Sequence, residues 1–113
     1  MATLPLPPET DVETLAAAHA AGAAIVDVRQ PDEYVEAHVP GAVLIPLAEL
    51  AARFAEIPGG DPLYVICASG GRSLSAAAAL IDAGYRAVSV AGGTNGWLAA
   101  GHPVVAGQGR FGD

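Results

Sequence analysis

Four short apolar runs punctuate this chain, and segments with helical marks fill the intervals between them. The runs are AAIVDV (23–28), AVLIPL (42–47), LYVIC (63–67) and RAVSV (86–90). They are too short for buried helices and rich in β-branched residues, so each reads as a strand. TDVETLAAAHAAG (10–22) is expected to be a helix, with Thr10 and Glu13 at capping-box spacing and Gly22 as its stop. QPDEYVEAH (30–38) has Pro31 in its first turn and Asp32 and Glu33 at its positive end. In LAELAARF (47–54), Leu47, Leu50, Ala51 and Phe54 follow the i, i+3, i+4, i+7 spacing of an amphipathic helix. SLSAAAALIDAG (73–84) is expected to bury Leu74, Ala77, Ala78 and Ile81, and TNGWLAAG (94–101) closes the series. Strands alternating with helices over short connections imply an α/β fold, a mainly parallel sheet flanked by helices on both faces.

At 113 residues the chain is long enough for one domain and one core. Residues 10–106 are read as that domain, 1–9 as a lead-in and the glycine-rich 107–113 as a flexible tail. Twelve acids face five arginines and no lysine, a net charge of −7. No basic stripe is present to neutralise phosphates, which argues against nucleic acid or an anionic membrane as partner. MATLPLPP at the start has neither a basic n-region nor an apolar h-region, and no uncharged apolar stretch approaches the ~20 residues of a membrane span. A cytoplasmic, reduced protein is the expectation. One cysteine allows no internal disulfide. The three histidines, His19, His38 and His102, are scattered without ligand spacing, so no metal is expected.

The lone thiol, Cys67, stands at the carboxyl end of a strand, where ligands of open α/β sheets bind. Behind it run Ala68, Ser69, Gly70, Gly71, Arg72 and Ser73. None is proline, so every residue offers an N–H. Gly70 and Gly71 can take positive φ at no steric cost. Such a loop can turn successive N–H groups inward as an anion nest, with the next helix adding its N-terminal dipole. Arg72 adds a full positive charge, unless it is a solvated helix-start residue. Ser69 and Ser73 either donate to the sulfur or cap the helix. Together these features favour a thiolate nucleophile over an inert buried thiol. Asp27 and Arg29, at the end of another core strand, are read as a structural clamp, with Arg29 pairing Glu33. Trp97 is read as core or pocket wall.

CASGGRS (67–73) resembles the active-site loop of the rhodanese-like sulfurtransferases. IVDVRQPDEYVEAHVPGAVLIPL (25–47) is similar to that family's D-V-R…E-[FY]…H-[IV]-P-G-A…I-P signature, and VAGGTNGW (90–97) to its late G-G…W segment. The resemblance implies a persulfide carried on Cys67 between a small-molecule sulfur donor (thiosulfate or a persulfide) and an acceptor (cyanide, a small thiol or a thiol protein). It places Ala68 to Ser73 around the substrate and the persulfide, with Asp27, Arg29 and Trp97 as candidates for the layer behind them. Thiosulfate-specialised members carry a basic residue directly after the cysteine. Ala68 stands there instead, so a less anionic persulfide is the better donor expected. Three rival readings share the features. Cysteine phosphatases place five residues between cysteine and arginine, whereas four stand here, which makes a narrower cup. Rhodanese-fold arsenate reductases relay through a second cysteine that this sequence lacks. Binding or regulatory modules of the same fold typically lose the cysteine, and this chain keeps it.

Overall fold

A computed structural model describes residues 6–107. Residues 1–5 of the expected lead-in and 108–113 of the expected tail lie outside it. In chain order the elements are β1 (Glu9–Thr10), α1 (Val12–Ala20), β2 (Ala24–Asp27), α2 (Pro31–Glu36), β3 (Val43–Leu44), two 3₁₀ segments (Leu47–Glu49 and Ala51–Glu56), β4 (Leu63–Ile66), α3 (Gly71–Asp82), β5 (Ala87–Val90) and α4 (Gly93–Ala99). The five strands form one parallel sheet in the order β1-β5-β4-β2-β3. In the central pair Ala24 lies opposite Leu63 and Asp27 opposite Ile66, so β2 and β4 end level with each other. Their carboxyl ends present Asp27 and Cys67 at the same edge.

The period-2 alternation of a strand sorts side chains onto two faces. Val26, Leu63, Val65, Cys67 and Ala87 join Ala76, Ala77 and Leu80 of α3 in one core layer. Ile25, Ile66 and Val90 join Val12, Leu15, Tyr34 and Trp97 in the other. Helices therefore cover both faces, as the pattern of runs implies. Ala76 and Ala77 have no bulk to hold α3 away from the sheet, so the helix start settles close beneath the end of β4. Among the described residues no helix is long and apolar enough to cross a membrane.

Four local expectations are corrected. The cap of α1 is Asp11, whose carboxylate accepts from Thr14 N at 2.7 Å. Thr10 is instead drawn into the edge strand β1, opposite Val90. The segment 47–54 is not an α-helix but two 3₁₀ segments, with Arg53 off helical geometry at φ −123° and ψ 26°. Leu47, Leu50 and Phe54 still pack against the core, from two short segments instead of one helix. The buried stripe of α3 is Ser73, Ala76, Ala77 and Leu80, one residue before the stripe expected. Ile81 is 40% exposed, because the helix is oriented by its small face and by Ser73 rather than by its bulkiest residues. The strand expected over 42–47 is reduced to Val43–Leu44, although Ile45 N and Leu47 N still donate to Asp27 O and Val28 O on either side of Pro46.

Candidate active site

Chain direction brings Cys67 out of β4 and directly into a loop that closes on its own sulfur. Gly70 N donates to Cys67 Sγ at 3.1 Å. That turn needs Gly70 at φ +122°, a conformation L side chains rarely adopt. Gly71, by contrast, is an ordinary first residue of α3 and does not use the positive φ open to it. The loop's carbonyls are held on the outside. Thr94 N donates to Cys67 O at 2.8 Å, Asn95 N to Ala68 O at 2.9 Å, and Gly92 N to Ser69 O at 3.2 Å. With the carbonyls committed to the start of α4, the N–H groups are left to face the sulfur. Gly93 makes this contact possible: a Cβ there would lie 2.5 Å from Cys67 O and 2.6 Å from Ala68 O.

Cys67 is 1% exposed, so the sulfur lies on the floor of the loop rather than on its rim. Burial pushes its thiol pKa up. The Ser73 hydroxyl and the backbone N–H groups of Ser73, Gly70 and Ser69 outweigh burial, and the thiol settles below its ordinary value. In the thiol form, Cys67 Sγ donates to Ser73 Oγ at 3.4 Å. Ser73 Oγ also donates to Gly70 O at 3.1 Å and lies 2.7 Å from Ser89 Oγ. Ser73 is thus placed at the sulfur, whereas Ser69 is exposed and meets it only through its backbone.

Arg72 leaves the loop and forms a two-pronged pair with Glu33 of α2, at 2.7 and 2.9 Å. The guanidinium holds the Glu33 carboxyl down at about 2, and Glu33 in turn raises Arg72. The Arg29–Glu33 pair expected from sequence is therefore corrected. Arg29 clamps buried Asp27 through Nε and Nη2, at 2.8–3.1 Å, and reaches only the backbone of α2, at Glu33 O and Ala37 O. These bonds tie the middle of α2, at Glu33, and the residue after its end, Ala37, to the carboxyl end of β2. Trp97 lies in the core layer opposite Cys67 and donates from Nε1 to Pro103 O at 2.7 Å. It anchors α4, whose first turn holds the loop carbonyls. Beside the loop, Arg29, Glu33, Ala68, Thr94, Asn95 and Leu98 line part of a cleft of about 170 Å³.

Two features of the site are not read from the sequence. The true partner of Glu33 is one, because its bond to Arg72 spans 39 residues. Ser89 is the other, and its signal in the sequence is that it is the one polar side chain in the strand AVSV.

A parallel α/β domain with a free thiol cradled by backbone N–H groups at the end of a central strand defines a recognisable class. The Rhodanese-like domain family matches residues 11–100, and the chain belongs to that family. It is 36% identical over 86 residues to a protein named Sulfurtransferase from Allochromatium vinosum, spanning 75% of this chain and 80% of that one. Thiosulfate sulfurtransferase PspE of Escherichia coli is 41% identical over 70 residues, 60% of this chain and 67% of PspE. YrkF of Bacillus subtilis is 43% identical over 74 residues, but the chain spans only 40% of that relative. Among solved structures, a rhodanese-related protein from Thermoplasma volcanium superposes with a TM-score of 0.80 at 31% identity, over 87% of this chain and 97% of that one.

Proposed function

We propose that this domain is a sulfurtransferase that carries sulfane sulfur as a Cys67 persulfide. The observation that carries the reading is the inward-facing Gly70 N–H at 3.1 Å from the sole thiol, in a loop whose carbonyls are tied away. Relatives named as sulfurtransferases support it at 36 and 41% identity.

The cycle has two half-reactions. Cys67 thiolate attacks the outer sulfur of the donor. With thiosulfate, the new Cys67 S–S bond forms as the old S–S bond breaks, and sulfite leaves with the electron pair. The charge now rests on the outer sulfur of Cys67–S–S⁻, where loop N–H groups and the Ser73 hydroxyl stabilise it. A nucleophile then takes that sulfur (cyanide giving thiocyanate, a thiol giving a persulfide), and Cys67 leaves as thiolate. A lowered thiol pKa serves both halves, since it favours the nucleophilic thiolate first and the leaving group later. The residues themselves carry every step, with no metal or organic cofactor called upon.

Donor choice follows from charge. Arg72 is the loop's one cation, and Glu33 already engages both its prongs. With Ala68 beside the thiol and a net charge of −7, little local charge is left to attract a dianion. A persulfide of a small thiol or of a thiol protein is therefore the preferred donor, and a reducing cytoplasm the fitting compartment. The phosphatase reading is disfavoured by the same pair, because an arginine held by a carboxylate is not free to grip a phosphoryl group.

Initial rates with thiosulfate and cyanide varied together test the reading. Parallel double-reciprocal lines, and their loss in a folded Cys67→Ser variant, are expected. Intersecting lines, or turnover that survives the serine variant, refute it.

A further inference from the structure

Ser89 lies on β5, wholly buried, two residues after Ala87 and on the same face, toward α3. A buried hydroxyl needs a partner, and the side-chain partner here is Ser73 Oγ at 2.7 Å. Ser73 has one proton and three neighbours that compete for it: Gly70 O at 3.1 Å, Ser89 Oγ at 2.7 Å and Cys67 Sγ at 3.4 Å. While Cys67 is a thiol, its S–H donates to Ser73, and the Ser73 proton rests on Gly70 O.

An anionic sulfur has no proton to give and becomes an acceptor. The Ser73 proton then turns to the sulfur. Gly70 O is not orphaned by the move, because Leu74 N donates to it at 3.3 Å. The Ser89 hydroxyl, 2.7 Å away, donates to Ser73 Oγ in both states, since the single Ser73 proton is committed first to Gly70 O and then to the sulfur. That donation polarises the Ser73 O–H and strengthens its bond most where the acceptor is charged.

We propose that Ser89 is a positioning residue, whose hydroxyl donates to Ser73 and thereby holds the Ser73 proton on the sulfur in its anionic forms. The chain Ser89–Ser73–Cys67 is a two-hydroxyl relay of orientation, in which no proton leaves its oxygen. Its thiolate half is independent of the sulfur-transfer reading, and only its persulfide half rests on that reading.

The test is therefore made on ionisation and not on turnover. Iodoacetamide alkylation of Cys67 is measured against pH for the wild type, Ser89→Ala, Ser73→Ala and the double variant. Ser89→Ala should slow alkylation at neutral pH about two- to fivefold, with rates meeting the wild type on the alkaline plateau, as fits loss of one support to a charge-assisted bond. In the Ser73→Ala background the same change should do nothing further, because its effect passes through Ser73. Ser89→Thr, which keeps the hydroxyl, should restore the wild-type inflection. Melting curves accompany each variant, and Ser89→Gly is a second hydroxyl-free variant. An unshifted profile in Ser89→Ala overturns the proposal, as do independent, additive effects of the two serines. Failure of both hydroxyl-free variants to fold also overturns it, by making Ser89 a residue of the core alone.

Discussion

Gly70 and Gly71 stand side by side in the loop, yet only one of them is required. Gly70 sits at φ +122° with its N–H on the sulfur, while a Cβ on Gly71 would meet nothing within 4 Å. Gly70→Ala should therefore cost about 1–3 kcal/mol of stability or distort the loop, and lower sulfur transfer at least tenfold. Gly71→Ala should keep both within about twofold, since Ala suits the first turn of a helix. Urea melts and steady-state rates on the two variants check this, and equal effects would show that the turn is not the device. Cys67 yields a second residue-scale expectation. Its thiol lies below the ordinary value because Ser73 and three N–H groups outweigh burial. The alkylation rate should thus inflect at lower pH than that of a free cysteine peptide measured alongside, and an inflection at or above the peptide's would contradict the geometry. The residues nearest the sulfur were legible in the sequence because they are contiguous: a thiol, glycines and a helix start in one stretch dictate a nest. Arg72 was legible as a cation but not as a paired one, since its partner comes from another element.

That partner makes the bond between α2 and α3 a matter of elements. Glu33 belongs to a six-residue helix held at its backbone by Arg29, and its carboxylate pins the start of α3 through Arg72. Arg72 holds the Glu33 carboxyl near 2, against an ordinary value of 4.5. A carboxylate with a depressed folded pKa contributes stability in full above 4.5, loses it as pH falls, and has none left below about 2. Glu33→Gln should therefore be less stable than the wild type at neutral pH, by on the order of 0.2–1 kcal/mol for so exposed a pair. The gap should close between about pH 4.5 and 2. Denaturant midpoints of the two proteins across that window measure it, and a gap that widens on acidification would reverse the assignment. The elements themselves were legible unevenly. Strands announced themselves as apolar runs, and the cover of both sheet faces followed. The 47–54 segment failed because i, i+3, i+4 spacing does not distinguish one helix from two 3₁₀ turns when the connection is short. The stripe of α3 slipped by one because side-chain size pointed to Leu74 and Ile81, whereas close approach to the sheet favours Ala76, Ala77 and a serine.

Seen whole, the molecule is a sheet order that delivers one thiol to one place. The order β1-β5-β4-β2-β3 puts β4 at the centre, with β2 and β5 on either side. The α3 start lies under the loop from one face, and the first turn of α4 binds its carbonyls from beyond β5. No single element makes the cradle, which is why the Arg72–Glu33 bond and the Ser89–Ser73 contact are not readable along the chain. The late G-G…W segment was legible as a resemblance, and its physical reason, a backbone that must pass within touching distance of Cys67 O, required the fold. By the proposed function, this assembly holds a second sulfur on Cys67. Intact mass of the desalted protein after treatment with excess thiosulfate or glutathione persulfide tests it most directly. A gain of one sulfur atom per chain is expected, located on Cys67, lost on adding cyanide with release of thiocyanate, and absent in Cys67→Ser. An unchanged mass with both donors, or a sulfur that cyanide cannot remove, would contradict it.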